Sequence, residues 1–359
     1  MRRLATIREI KAIRAIDGAD KIECAIVDGW ECVIAKKDNF KVGDKIVYIE
    51  IDSILPEKPE FEFLRERKFK VRTIKLRKQI SQGLVLPLSI LPKDTYNLDD
   101  DVTNILGITK YDPEAEQEIK TANQTPKKAA NPIVKFLMRF KWFRKLYVKP
   151  KKDGFPDWIV KTDENRLQNM PNMFEVEKEL GTKFTCTEKL DGQSVTFFLE
   201  RIKKNKFEFG VCSRNIRLSN PDNSSWWTVA RQINAENVLK FLIGKSNRIV
   251  LQGEIIGEGI QGNKYKIKGY DFYAFNLIID GKKYSTQAMK SMLEIYDIKT
   301  VPIIQEDFIL KEDIPAMVEY AKGQSTLLDI KRKGVVIRNY DKNLSFKVIN
   351  PEFLLAESD

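Results

Sequence analysis

Along the first hundred residues apolar and polar positions alternate in short bursts. "KIECAIV", "WECVIAK" and "DKIVYIEI" are each cut off by a turn signal such as "DGAD", "VDG", "KVGD" or "LPEKP". A period of two marks strands with one wet and one buried face, and strands so short and so regularly punctuated form a small barrel or sandwich. In "KFKVRTIKLRKQISQGLVLP" Lys68, Lys70 and Arg72 share one face, and Phe69 and Val71 the other. The phase slips near Ile74, as a bulge would cause, before Lys75 and Arg77 pair up again. Such a basic face either meets phosphates or faces water, and the pattern alone leaves both readings open.

Between Tyr111 and Gly154 the period changes. "NPIVKFLMRFKWFRKLY" sets Ile133, Phe136, Leu137, Phe140, Phe143 and Tyr147 at helical spacing, with Asn131 as N-cap and Pro132 at the first helical position. Its other face is basic. A helix lying on RNA phosphates, an interfacial membrane helix and a plain connector all fit. The first is preferred because of the motifs downstream of it, and the preceding "TANQTPKKAAN" reads as a flexible linker.

From "FPDWIVKTDENRLQNM" onward strand runs ("SVTFFLERI", "KFEFGVCS", "RIVLQGEI", "YDFYAFNLII", "KGVVIRNY", "LSFKVIN") alternate with helical patterns ("SWWTVARQINAENVLKFLI", "STQAMKSMLEIY", "IPAMVEYAKG"). The fold class expected is α+β, with an oligonucleotide-binding (OB) β-barrel over 1–110, a linker with the basic helix over 111–155 and a mixed antiparallel-sheet domain over 156–359. A chain of 359 residues exceeds the usual size of one core, which agrees with this division.

Histidine is absent, which removes His-based triads, imidazole bases and His metal ligands. Catalysis then falls to Lys, Asp, Glu, Arg or a metal held by oxygens. The four cysteines show no C-x-x-C spacing and read as buried thiols. No apolar stretch approaches a membrane span, so a cytoplasmic chain with no membrane partner is expected. The net charge of +11 favours polyanions, and from Thr121 to Lys152 there is no Asp or Glu among many Lys and Arg.

"TEKLDGQSVTFF" places Lys189 two residues before Asp191 and three before Gly192. A lone K-x-D-G is a weak signal. It is succeeded in order by "SRN" (Ser213 to Asn215), "GEIIGEGIQGNKY" with Glu254, "FYAF" with Phe275, "KGVVIR" and "SFKVIN" with Lys347. This series resembles the collinear motifs of covalent nucleotidyltransferases, and specifically the RNA ligase 2-like clade in its Deinococcus-type branch, which carries an N-terminal OB domain. The resemblance extends over "GADKIE", "VGDKIVYIEIDSILP", "SQGLVLP" and "KTDENRLQN", nearly the whole chain.

The resemblance implies an ATP-dependent polynucleotide ligase with a nucleotidyltransferase domain, joining a 3'-hydroxyl to a 5'-phosphate at nicks in RNA or RNA-containing duplexes, with magnesium or manganese, as a monomer. A lysine is nucleophilic only once deprotonated, so nearby positive charge or a metal must depress its pKa. By resemblance Lys189 is the nucleophile. Asp191 and Glu254 hold the metal or its waters, with Glu254 alternatively on the ribose. Gly192 lets the backbone approach, Arg214 binds the ribose or the acceptor's terminal nucleotide, Phe275 stacks on adenine, Glu188 contributes its backbone to adenine recognition, and Lys347 neutralises the α-phosphate.

Two positions depart from the family's pattern. Lys333 stands in "KRKGVVIR" where a glutamate that engages metal-bound water is usual, which puts Lys333 among the expected cofactor contacts with inverted charge. Unit charges about 4 Å apart interact by roughly 4 kcal/mol at an effective dielectric of 20, enough to weaken a metal site. Ile349 stands where many relatives have a second lysine. The rival readings are a capping-type guanylyltransferase and, because of Lys333, a catalytically impaired RNA-binding protein.

Overall fold

The computed structural model describes residues 3–92, 95–111, 154–218 and 224–356. The basic helix and linker expected after Tyr111 therefore lie outside the described residues. The chain divides into two compact units: Met1–Asp112, Glu164–Leu190 and Pro302–Asp359 make the first, Pro113–Asp163 and Asp191–Val301 the second.

In the first unit the N-terminal alternation becomes a curled antiparallel sheet ordered Trp30–Ala35, Ile22–Val27, Ala5–Ala15, Lys45–Ile49, Leu84–Pro87. Ala5–Ala15 serves two partners: its start pairs with Lys45–Ile49 and its end with Ile22–Val27, with an irregularity between Ile10 and Ala12. Such a shared, bulged strand is how a sheet curls towards a barrel. Ile7, Val47, Phe61 and Phe69 fill one side of it, Ile10, Trp30, Cys32 and Tyr48 the other. The basic run does not carry a bulge at Ile74. Instead it changes sheets at Arg72, since Val71 pairs with Ser53 whereas Thr73 pairs with Gln82 in a separate hairpin.

The same unit holds a mixed sheet ordered Asn165–Arg166, Leu344–Ile349, Gly334–Asn339, Phe184–Glu188, Ile303–Phe308, with the first pair parallel and the rest antiparallel. Phe184, Cys186, Val335, Ile337, Phe346 and Val348 turn to one face, closed by Phe174 and Met317 from the helices Pro171–Glu179 and Ile314–Ala321. This sheet and the N-terminal one are joined by part-buried polar contacts. Trp30 Nε1 donates to Asn169 Oδ1 at 3.1 Å, Asn169 Nδ2 donates to Glu50, and Arg166 pairs with Asp52 at 3.2 Å.

The second unit is built on a sheet ordered Lys206–Cys212, Gln193–Lys203, Arg248–Gly257, Tyr270–Ile279, Lys282–Lys283, with Lys299–Thr300 parallel beside Tyr270–Ile279. Val195, Phe197, Leu251, Phe272 and Leu277 line its apolar face under residues of the helices Ser225–Gln232, Ala235–Leu242 and Thr286–Glu294. The long pattern "SWWTVARQINAENVLKFLI" is thus two helices. The break falls at Asn234, whose φ of 50° lies in the left-handed region that asparagine tolerates better than most residues.

The outcome is the α+β content expected, with strands where the alternation placed them. All four cysteines are buried free thiols.

Candidate functional site

The first unit supplies the lysines. Phe184–Glu188 is an inner strand, with Glu188 opposite Val335. Directly beyond it the Lys189 N–H donates to the Gly334 carbonyl at 3.0 Å, which fixes the lysine at the sheet's margin. Gly334 leaves no choice of residue, since a β-carbon there would come within 2.2 Å of the Val348 carbonyl. Thr187, Val336 and Lys347 stand side by side across three strands. Because Phe346 and Val348 are buried in the core, Lys347 lies on the opposite face, half-buried like Lys189. Lys333 is also half-buried, its ammonium 5.9 Å from the Phe353 ring centroid.

Glu188 is 1% exposed. One carboxylate oxygen accepts from the Thr326 N–H at 2.8 Å and its hydroxyl at 2.7 Å. The other, Oε1, is buried without a hydrogen-bond partner. An open buried acceptor costs about 1–3 kcal/mol, which a ligand N–H would offset.

The second unit supplies the carboxylates, starting at Asp191, the residue at which the chain enters it. Asp191 is buried. Its N–H donates to Tyr265 Oη at 2.9 Å, and its carboxylate pairs with Lys264 at 2.7 Å. Gly192 N–H donates to Glu254 Oε1 at 3.1 Å. A β-carbon on Gly192 would meet the Ile255 carbonyl at 2.2 Å and Glu254 Cγ at 2.8 Å, so the glycine admits the strand that carries Glu254.

Arg214 is paired with Asp163. Phe275 occupies a bulge: Gln252 faces Asn276 and Gly253 faces Ala274, which leaves Phe275 the extra residue. Its neighbours Phe272, Ala274 and Leu277 are in the core, whereas Phe275 is half-buried and outside it.

The structure thus collects Lys189, Glu188, Lys333 and Lys347 on one sheet, and Asp191, Gly192, Glu254, Arg214 and Phe275 on the other unit's sheet and its flanking segments. Sequence reasoning missed Lys264, Tyr265, Asp163 and Thr326. The first two stand in "GNKY" and Asp163 in "KTDEN", motifs whose remaining residues carried no assignment. Thr326 had no signal.

Among the described residues no three His, Cys, Asp or Glu gather as metal ligands. Asp191 and Glu254, on either side of Gly192, offer only hard oxygens. One or two carboxylates completed by waters and phosphate oxygens is how magnesium is commonly held, so the donor set fits magnesium or manganese bound with a nucleotide and not a zinc centre. The open Glu188 oxygen likewise fits a nucleobase N–H.

A family model for an OB-fold domain matches residues 4–88, and one for RNA ligase matches residues 182–349. Comparison with curated proteins finds no match. Among solved structures, the Naegleria gruberi RNA ligase with PPi is 35% identical with a TM-score of 0.80, over 100% of this chain and 100% of that one. A mutant of that ligase with ATP and Mn is 35% identical with a TM-score of 0.79, covering 99% of each chain. Another, with AMP and Mn, is 35% identical with a TM-score of 0.80 over 100% of this chain and 99% of that one. With an OB fold at its N-terminus, a mixed-sheet ligase domain after it and this likeness along its full length, the chain belongs to the RNA ligase family.

Proposed function

We propose that the protein is an ATP-dependent RNA ligase that seals 3'-hydroxyl/5'-phosphate nicks in RNA-containing duplexes through adenylate carried on Lys189. The observation that carries this reading is the full-length likeness to a ligase solved with ATP and Mn, joined to Lys189 on a rigid strand end two residues before a buried carboxylate. We further propose an OB module over 1–110, a connector over 111–155 and a catalytic module over 156–359, membership of the Deinococcus-type branch, and a cytoplasmic monomer.

The deprotonated Lys189 amine attacks the α-phosphorus of ATP, so that a P–N bond forms as the P–O bond to pyrophosphate breaks. Lys347 balances charge on the α-phosphate, and Glu188 Oε1 accepts from the base. Asp191 and Glu254 would hold a divalent ion through its waters, and that ion would supply charge neutralisation on the phosphates. AMP then passes to an oxygen of the RNA 5'-phosphate, breaking the P–N bond and returning a proton to the lysine. Finally the 3'-hydroxyl attacks that 5'-phosphorus and AMP leaves. Arg214 positions the ribose or the acceptor end, and Phe275 lies against adenine.

Incubation with α-labelled ATP and magnesium or manganese is expected to leave an acid-labile label that survives denaturation and is lost in Lys189→Ala. No adduct by mass spectrometry overturns the reading, and labelling by GTP in its place would favour a guanylyltransferase. Nicked duplexes ending in a 3'-ribose or a 3'-deoxyribose then separate the acceptors.

One feature favours a second reading, a catalytically impaired RNA-binding protein: Lys333 is a cation at the place where the family resemblance implies a glutamate. If it slows a step, Lys333→Glu raises the ligation rate. An unchanged or lower rate counts against it.

A further inference from the structure

We propose that a basic groove beside Tyr111, in the N-terminal part of the first unit, is a clamp for the phosphodiester backbone of the RNA substrate. The inference rests on the nucleic-acid substrate of the reading above and not on lysine adenylation.

From Arg67 to Lys78 there are seven basic residues and no acidic one. The fold sorts them. Phe69 and Val71, 4% and 5% exposed, pack into the half-barrel's core and pin the run in place. Arg67, Lys68 and Arg72 are left exposed and Lys70 half-buried, on a groove that Tyr111 also lines and where Glu66 is the acid present. Lys68 and Phe69 both hold left-handed backbone, φ 52° and 57°. For residues with a β-carbon that conformation costs about 1–2 kcal/mol each, and strain of this kind gathers at functional sites. It leaves Lys68 at the groove while Phe69 packs inward. The neighbouring Arg65, by contrast, is neutralised by Glu62 and Glu57.

Tyr111 organises the cations. Its N–H is tied to the Asp52 carbonyl at 2.7 Å. The Lys70 ammonium sits 3.7 Å from the ring centroid and the Arg72 guanidinium carbon 5.4 Å. A cation over an aromatic face is held without a carboxylate and keeps its N–H donors available. Four cations against one carboxylate suit successive phosphates, each bound by charge-assisted hydrogen bonds. With two cations gathered at its ring, Tyr111 is assigned as a positioning residue, and the salt slope separates that role from base stacking.

The test is the salt dependence of binding, read by fluorescence anisotropy of a labelled nicked RNA duplex with the full chain. If each of two phosphate contacts contributes about 0.9 to the slope of log K against log salt, the Lys70→Gln/Arg72→Gln variant loses roughly 2 from that slope between about 50 and about 200 mM KCl. Its affinity at the low-salt end is expected to fall at least tenfold. Tyr111→Leu weakens binding and lowers the slope, whereas Tyr111→Phe, which keeps the ring, restores both. Thermal melting checks that each variant is folded.

An unchanged slope in the double variant overturns the proposal. So does a Tyr111→Leu variant that loses affinity at constant slope, the mark of base stacking, and so does loss of binding to phosphatidylserine vesicles with RNA binding intact. A wild-type protein that forms no Lys189 adduct, in a series where the slope falls as expected, sinks the adenylation reading and leaves the clamp standing.

Discussion

Gly192 and Lys264 show how little freedom single residues have around the carboxylates of the second unit. Gly192→Ala drives a methyl group into the Ile255 carbonyl, and the strand carrying Glu254 must shift to relieve it. We expect a loss of about 2–3 kcal/mol in urea unfolding together with loss of adenylate transfer to Lys189. Lys264→Met removes the ion partner of a carboxylate whose side chain is fully buried, with an expected cost of about 2 kcal/mol in the same measurement. The thiols give a pH prediction. Burial pushes Cys186 up to about 11 and Cys212 up to about 12. The folded state therefore holds protons that the unfolded chain gives up above about pH 8.5. Stability is unaffected by these groups below that pH and declines as pH rises from there through 11, which melting curves at alkaline pH will register. At neutral pH a maleimide should label none of the four cysteines until denaturant is added.

At the scale of elements the two helices split at Asn234 offer a clean comparison. Asn234→Gly should be neutral within a few tenths of a kcal/mol, whereas Asn234→Val, β-branched in left-handed backbone, should cost about 1–2 kcal/mol by thermal melting. The same break shows what sequence periodicity hides. Apolar spacing runs on through Asn234 because both helices cover one core, so the pattern is continuous where the backbone is not. Strands are legible for the converse reason: the apolar run Tyr270–Ile279 coincides with the strand, its ends half-buried and its middle packed. The bulge at Phe275 left no trace in that reading, since aromatic residues crowd both faces of the strand. Lys189, Asp191 and Gly192 were legible as a contiguous motif. Lys264 and Thr326 were not, because their partners lie 73 and 138 residues away and only folding brings them near.

The molecule as a whole is organised by a chain that enters the second unit twice and returns twice. The N-terminal half-barrel and the mixed sheet holding Lys189 share one unit through Trp30, Asn169, Glu50, Arg166 and Asp52. Residues 156–359 expressed alone should therefore melt well below the full chain, with Arg166, otherwise 6% exposed, deprived of its partner. A sheet whose inner strand, Phe184–Glu188, meets Ile303–Phe308 on one edge and Gly334–Asn339 on the other, the latter only after an interval of 149 residues, also sets a timetable. On the ribosome the strand leading to Lys189 emerges with its bonding edges open and waits for most of the remaining chain before they are covered. Nascent chains halted short of Gly334 should consequently recruit chaperones or aggregate, and the nucleophile becomes competent only when synthesis is almost complete.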